Sequence, residues 1–321
     1  MAHELEIVAG KAQMAYAGET PWHGLGVQVP ADLSPVQMMQ AAGLDWEVEK
    51  FPAFAEINGK RIDTGRQALV RTSDNKFFDM VGDDWNPVQN AEAFEFFNDF
   101  IAAGDMQMHT AGSLKGGRNI WALAKVNESF EILGDDRVEG YLLFSNPHQY
   151  GKTVDVRFTP VRVVCNNTLT MSLNGKAERM FKMNHRQVFD ADMVKEVLGV
   201  SKEKLARYKE MAQYLSEKQY NTESVVQYFN RVFPMTTAKN SERSVNLDSR
   251  AAKLAHSVLE SQPGAEYAPG SWWQAFNAVT FATDHLLGRS ADTRLTSAWF
   301  GVNQRRKIEA GNLALEMAEA A

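Results

Sequence analysis

The stretch KTVDVRFTPVRVVCNNTLTMSL, Lys152 to Leu173, decides where the chain passes from sheet to helix. Side chains of an extended backbone repeat every two residues. Thr153, Asp155, Arg157 and Thr159 therefore share one face, and Val154, Val156 and Phe158 the other. Pro160 cannot donate to a ladder, which predicts an edge or a bulge there. Beyond it Val161, Val163 and Cys165 alternate with Arg162, Val164 and Asn166. Asn166 and Asn167 end the β-branched run and suit the cap of a helix beginning near Leu169. The reading is strand, cap, helix start. Cys165 is the only cysteine; free cysteine is among the most buried residue types, so it is read as core rather than as a nucleophile.

Toward the N-terminus, residues 1–30 read as an irregular arm, since PWHGLGV combines a proline and two glycines with an aromatic pair. LSPVQMMQAAG offers Ser34 as cap, Pro35 at the first helical position and Gly43 as stop. WEVEKFPAFAEI alternates as a strand and turns at NGK, and QALVRTSDNKFFDMVG reads as two more strands. NPVQNAEAFEFFNDFIAAG predicts one long helix over 90–103, capped by Asn90, with Phe94, Phe97 and Ile101 on its core face. MQMHTAGSLKGGRNIWALAKV is a hairpin with LKGGRN at its tip.

From about residue 187 the pattern is helical through SKEKLARYKEMAQYLSEKQ, TESVVQYFNRVF, SVNLDSRAAKLAHSVLESQ, SWWQAFNAVTFATDHLLGR and TSAWFGVNQRRKIEAGNLALEMAEA. The expected class is α+β: a mostly antiparallel sheet crossed by a long helix, then a helical C-terminal region. The expected divisions are an arm over 1–30, a sheet domain over 31–186 and a helical domain over 187–321.

The chain has 321 residues, 44% hydrophobic and 23% charged, an ordinary globular mix. It contains no apolar run long enough for a membrane helix, and MAHELEIVAG carries acids where a signal peptide needs a basic end. With a single cysteine, these features predict a cytoplasmic protein with no membrane partner. The net charge is −6, yet residues 150–186 hold seven basic residues against only Asp155 and Glu178. A mildly acidic chain with one cationic strip suits contact with a polyanion on one face.

Motifs that would assign a reaction are missing. There is no phosphate loop, no nucleophile elbow and no zinc-binding histidine pair among the seven histidines. No cofactor is expected. The pairs Asp83-Asp84 and Asp135-Asp136 read more readily as turn or capping residues than as magnesium ligands.

A binding surface remains. Lys115 and Arg118 sit on a glycine-flexible hairpin tip, and Tyr150 and Lys152 precede the strand that carries Arg157 and Arg162. Lys176, Arg179, Lys182 and Arg186 follow. Cations that track phosphates beside an aromatic that stacks on bases are the ingredients of single-strand nucleic-acid binding. In the competing reading, Arg157 and Arg162 pair with Asp155 and other surface acids.

PWHGLG, FTPVRVVCNNTL and LTSAWFG, in this order along nearly the whole chain, resemble the phage/plasmid-like proteins that carry domain of unknown function 932. The resemblance implies a phage, prophage or plasmid origin and no established activity. In element order alone, the region from the first helix to the crossing helix is similar to phage single-strand annealing proteins of the Erf and Red beta type. That similarity implies rings or filaments that pair single-stranded DNA without ATP; the acidic net charge departs from it.

The leading expectation is thus a nucleic-acid-binding protein of mobile-element replication or recombination that forms homo-oligomers on single-stranded DNA. One alternative is a protein-interaction, anti-defence module anchored by Trp272, Trp273, Trp299 and Phe300. The other is an unrecognised metal-dependent enzyme using the paired aspartates with His109 or His148.

Overall fold

The computed structural model describes residues 5–18, 25–102, 106–132, 136–162, 167–168, 181–184, 206–235, 246–288, 294, 297–299 and 301–320. Its strands are β1 (Ile7–Val8), β2 (Lys11–Ala12), β3 (Met14–Ala17), β4 (Val27–Val29), β5 (Val48–Ile57), β6 (Lys60–Arg71) and β7 (Lys76–Val81). They continue with β8 (Met106–Leu114), β9 (Asn119–Glu131), β10 (Arg137–Pro147), β11 (Thr153–Arg162), β12 (Asn167–Thr168) and β13 (Phe181–Asn184). The large sheet has the order β12-β11-β10-β9-β8-β3-β4, with β13 also on β11. A second sheet runs β5-β6-β7. Among the registers described, β3 with β4 is parallel and the others are antiparallel. With a helical C-terminal region, the class is α+β as the periodicities predict.

The expected arm over 1–30 is corrected. Met14–Ala17 are wholly buried and lie between β8 and β4 in the large sheet. MAYA is a short apolar strand, and its neighbouring glycines mask it in a composition-based reading.

The expected long helix is two: α2 (Asn90–Glu95) and α3 (Asn98–Ala102). Phe94, Phe96 and Phe97 are all buried. A straight helix places residues 94 and 97 on one face and 96 nearly opposite. Breaking the helix at Phe96–Phe97 allows all three rings into the core, where Phe96 and Phe97 both pack on Phe144. Asn90 is not a cap. Its side-chain amide is buried and donates to the carbonyls of Leu44 and Trp46, while the Glu92 carboxylate accepts from the Gln89 N–H at the helix start. The first helix, α1 (Pro35–Ala41), has the predicted Ser34 cap, closed reciprocally with Gln37.

The strand–cap–helix reading of Asn167 is also corrected. Asn167–Thr168 pair back onto β11 opposite Arg162 and Val161, and Phe181–Asn184 pair with Val156–Thr153 as β13. Pro160 falls between these two described pairings, consistent with its missing donor. Cys165 and the segment from Leu169 to Met180 lie outside the described residues.

The compact units do not follow the chain in series. One holds residues 1–127, 141–158 and 179–198; the other holds 128–140, 159–178 and 199–321. In the first, α1, α2 and the buried side of β5–β7 share one hydrophobic cluster with the large sheet, including Met38, Trp46, Leu69, Phe78, Phe94, Ile120 and Phe144.

In the second unit, helices span 206–217, Thr222–Val232, Arg250–Ser257, Trp272–Phe281 and Val302–Glu319. Asn221, Ser249 and Ser271 cap three of them. Trp272 packs edge-on against Tyr220 and Tyr228, and the Trp273 indole N–H donates to the carboxylate of Asp136. Lys307, fully buried, reaches Asp284 at 2.7 Å. Trp272, Trp273 and Trp299 are buried, so they are core residues and not the exposed anchors of the interaction reading. Phe300 lies outside the described residues. No helix among the described residues is long and apolar enough to cross a membrane.

Candidate functional site

Three segments of the first unit meet against β7. The first is the hairpin tip 115–118, between the paired residues Leu114 and Asn119. Lys115, Gly116 and Gly117 all have positive φ. A Cβ on Gly116 would lie 2.8 Å from Lys76 Nζ, and one on Gly117 2.8 Å from an Arg71 guanidinium nitrogen. The glycines thus serve close approach, which corrects the reading of the tip as a flexible loop. Arg118 donates through Nε to the Phe78 carbonyl at 3.0 Å, and its own carbonyl accepts from the His148 N–H at 2.9 Å.

The second segment is the turn 148–152. His148 is buried, stacked on Phe78 and 3.1 Å from Asn90 Oδ1, which fixes the root of the turn. The Tyr150 N–H donates to Asp79 Oδ2 at 2.9 Å. The Tyr150 ring itself is 50% exposed, and the Arg66 guanidinium lies 5.5 Å from its centroid. Lys152 is exposed beside it.

The third segment is a buried ionic cluster beneath the tip. Arg71 makes two hydrogen bonds to Glu6, at 2.8 and 3.0 Å, and two to Asp74. Lys76 Nζ and Ser113 Oγ also donate to Glu6. Burial works against the Glu6 carboxylate, but the donors from Arg71, Lys76 and Ser113 outweigh it and hold the carboxyl below its usual range. Burial likewise opposes the Arg71 charge, and its bonds to Asp74 and Glu6 more than offset that and raise its pKa. The guanidinium lies over the rings of Trp46 and Phe78 as well.

Four predicted residues, Lys115, Arg118, Tyr150 and Lys152, are therefore carried by segments that meet at one place. Arg157 is withdrawn from it: its side chain is buried and paired with Asp155, the competing reading of that strand face. Burial lowers its pKa to about 10, so it stays charged at neutral pH. Lys182 stands opposite Asp155 in the ladder and Arg162 opposite Asn167. Lys176, Arg179 and Arg186 lie outside the described residues.

Sequence reasoning missed Arg66 and Lys76. Lys76 lies in a strand it recognised and Arg66 just before one, and nothing in their own stretch says that β6 and β7 reach the 115–118 tip.

The enzymatic alternative gains no donor set. Among the described residues no group of three or more His, Cys, Asp or Glu side chains is placed to hold a metal ion. His109 packs edge-on against Tyr141, and Asp83 accepts from Gln67 at 2.6 Å. Asp135 lies outside the described residues.

No curated protein matches the chain in sequence, and no solved structure matches it. A family model, described as Domain of unknown function (DUF932), does match, over residues 78–299. The matched span covers more than half of the sequence and takes in β8–β11, the hairpin tip and the turn with Tyr150; on that match the chain belongs to the DUF932 family.

Proposed function

We propose that this chain binds single-stranded DNA, as an ATP-independent annealing protein of phage or plasmid replication and recombination. It would act as an oligomer in the bacterial cytoplasm. The observation that carries the reading is the half-exposed Tyr150 ring with Arg66 over it, flanked by Lys152 and by the tip with Lys115 and Arg118. Phosphates would be tracked by the cations while a base stacks on Tyr150, an interaction worth roughly 1–3 kcal/mol per base. Asp79 and Asp83 lie near the same strand ends and temper the positive field, so affinity rests on few contacts.

A gel-shift series with labelled single-stranded oligonucleotides at rising salt tests this. Binding that weakens with salt by about 0.7 in log–log slope per phosphate contact, and drops about tenfold or more for Tyr150→Ala, is the expected result. Absence of retardation at low salt would sink it.

A further inference from the structure

The register of the β5–β6–β7 sheet, which shifts between Ala53 and Phe54 where Thr64 and Gly65 bulge from β6, sets which side chains share its outer face. Glu49, Phe51, Ala53, Ala55 and Ile57 occupy every second position of β5, while Val48 on the other side is buried in the core. Phe51, Ile57 and Ile62 are 44%, 55% and 48% exposed, and Phe77 is 49% exposed. Among the described residues β7 pairs only with Gln67–Arg71, and the β5–β6 ribbon beyond it has no third strand. Exposed large apolar side chains gathered on one face mark an interaction surface. The free edge of β5 is guarded instead: the Gln89 amide pairs with both backbone groups of Val48, and Pro52 has no N–H to offer a new strand.

Bulk and charge along this face follow a pattern that complements its own reverse. Phe51 stands opposite Ala68, Ala55 opposite Ile62, and Ile57 opposite Lys60. Turn the face over about an axis across the strands at Ala53. Phe51 then falls on Ala55 and Ile62 on Ala68, large against small in both cases. Glu49 falls on Ile57, one strand spacing (about 4.8 Å) from Lys60, so acid meets base. Arg66, at the axis, is drawn aside to the Tyr150 ring. An interface between identical subunits requires such self-complementarity.

We infer that this face binds a second copy of the chain about a two-fold axis, sheet upon sheet with strands antiparallel. The assembly element of the functional reading is thereby given a surface, and of the nucleic-acid site only Arg66 also lies on it.

Sedimentation of the full chain without nucleic acid, over a range of concentrations, reads it directly. Self-association is expected, with the dimer dissociation constant raised at least tenfold by Ile62→Asp while the circular dichroism stays unchanged. Glu49→Lys and Lys60→Glu should each weaken the dimer, and both together in one chain should restore it. A chain that remains monomeric throughout overturns the inference. So does a dimer indifferent to Ile62→Asp, or one that the double reversal fails to rescue. A failed gel shift leaves these outcomes untouched, which separates the two readings.

Discussion

Glu6 is a carboxylate enclosed by Arg71, Lys76 and Ser113 with almost no access to water. Removing its charge leaves Arg71 buried with Asp74 as its one anionic partner among the described residues. Breaking a buried pair of this kind costs about 3 kcal/mol. We therefore expect Glu6→Gln to lower the unfolding free energy by roughly that amount in urea titrations. The pH dependence follows from the same donors. Because the folded pKa lies below the ordinary value of 4.5, the carboxylate contributes its stability above that pH and loses it as pH falls through the folded value. The acid limb of the stability curve should be shallower in Glu6→Gln than in the parent chain.

At the scale of the element, two glycines that both have positive φ make different predictions. Asn58 and Gly59 both have positive φ, the geometry of a type I′ turn that joins β5 to β6. A Cβ on Gly59 would meet nothing, so Gly59→Ala carries only the backbone penalty, about 1 kcal/mol. Gly117→Ala carries that penalty plus contacts under 3 Å with Arg71 and Phe78, and should cost roughly 2–3 kcal/mol. Thermal melts of the two variants test the difference. The turn at Asn58-Gly59 was legible from the stretch NGK, as were the Ser34 cap and most strands, because those signals are local. The break at Phe96–Phe97 was not, since it arises from three rings competing for one core. Nor was the burial of Asn90, whose partners at Leu44, Trp46 and His148 are far away in sequence.

For the whole molecule, the distribution of charge matters more than its net value of −6. The basic strip over 150–186 gives Lys152 to an exposed turn and Arg157 to a buried pair, a separation that residue counting cannot make because both precede or occupy the same strand. The two should consequently fail differently when mutated. Lys115→Ala and Lys152→Ala should leave stability within about 0.5 kcal/mol and each flatten the salt dependence of single-strand binding by about 0.7 in log–log slope. Arg157→Ala should instead destabilise the fold by roughly 3–5 kcal/mol, read by denaturation in the absence of nucleic acid.

The place of β3 in the large sheet has a consequence for biosynthesis. Met14, Ala15 and Tyr16 hydrogen-bond to a strand whose partners are Gly112, Ala111 and Thr110. A ribosome adding 5–20 residues per second needs on the order of ten seconds to supply that partner. Throughout that interval the apolar segment Met14–Ala17 can pair with β4 alone and lacks its antiparallel neighbour. That segment is thus synthesised long before it can be closed on both sides, and a holding chaperone would have it to protect.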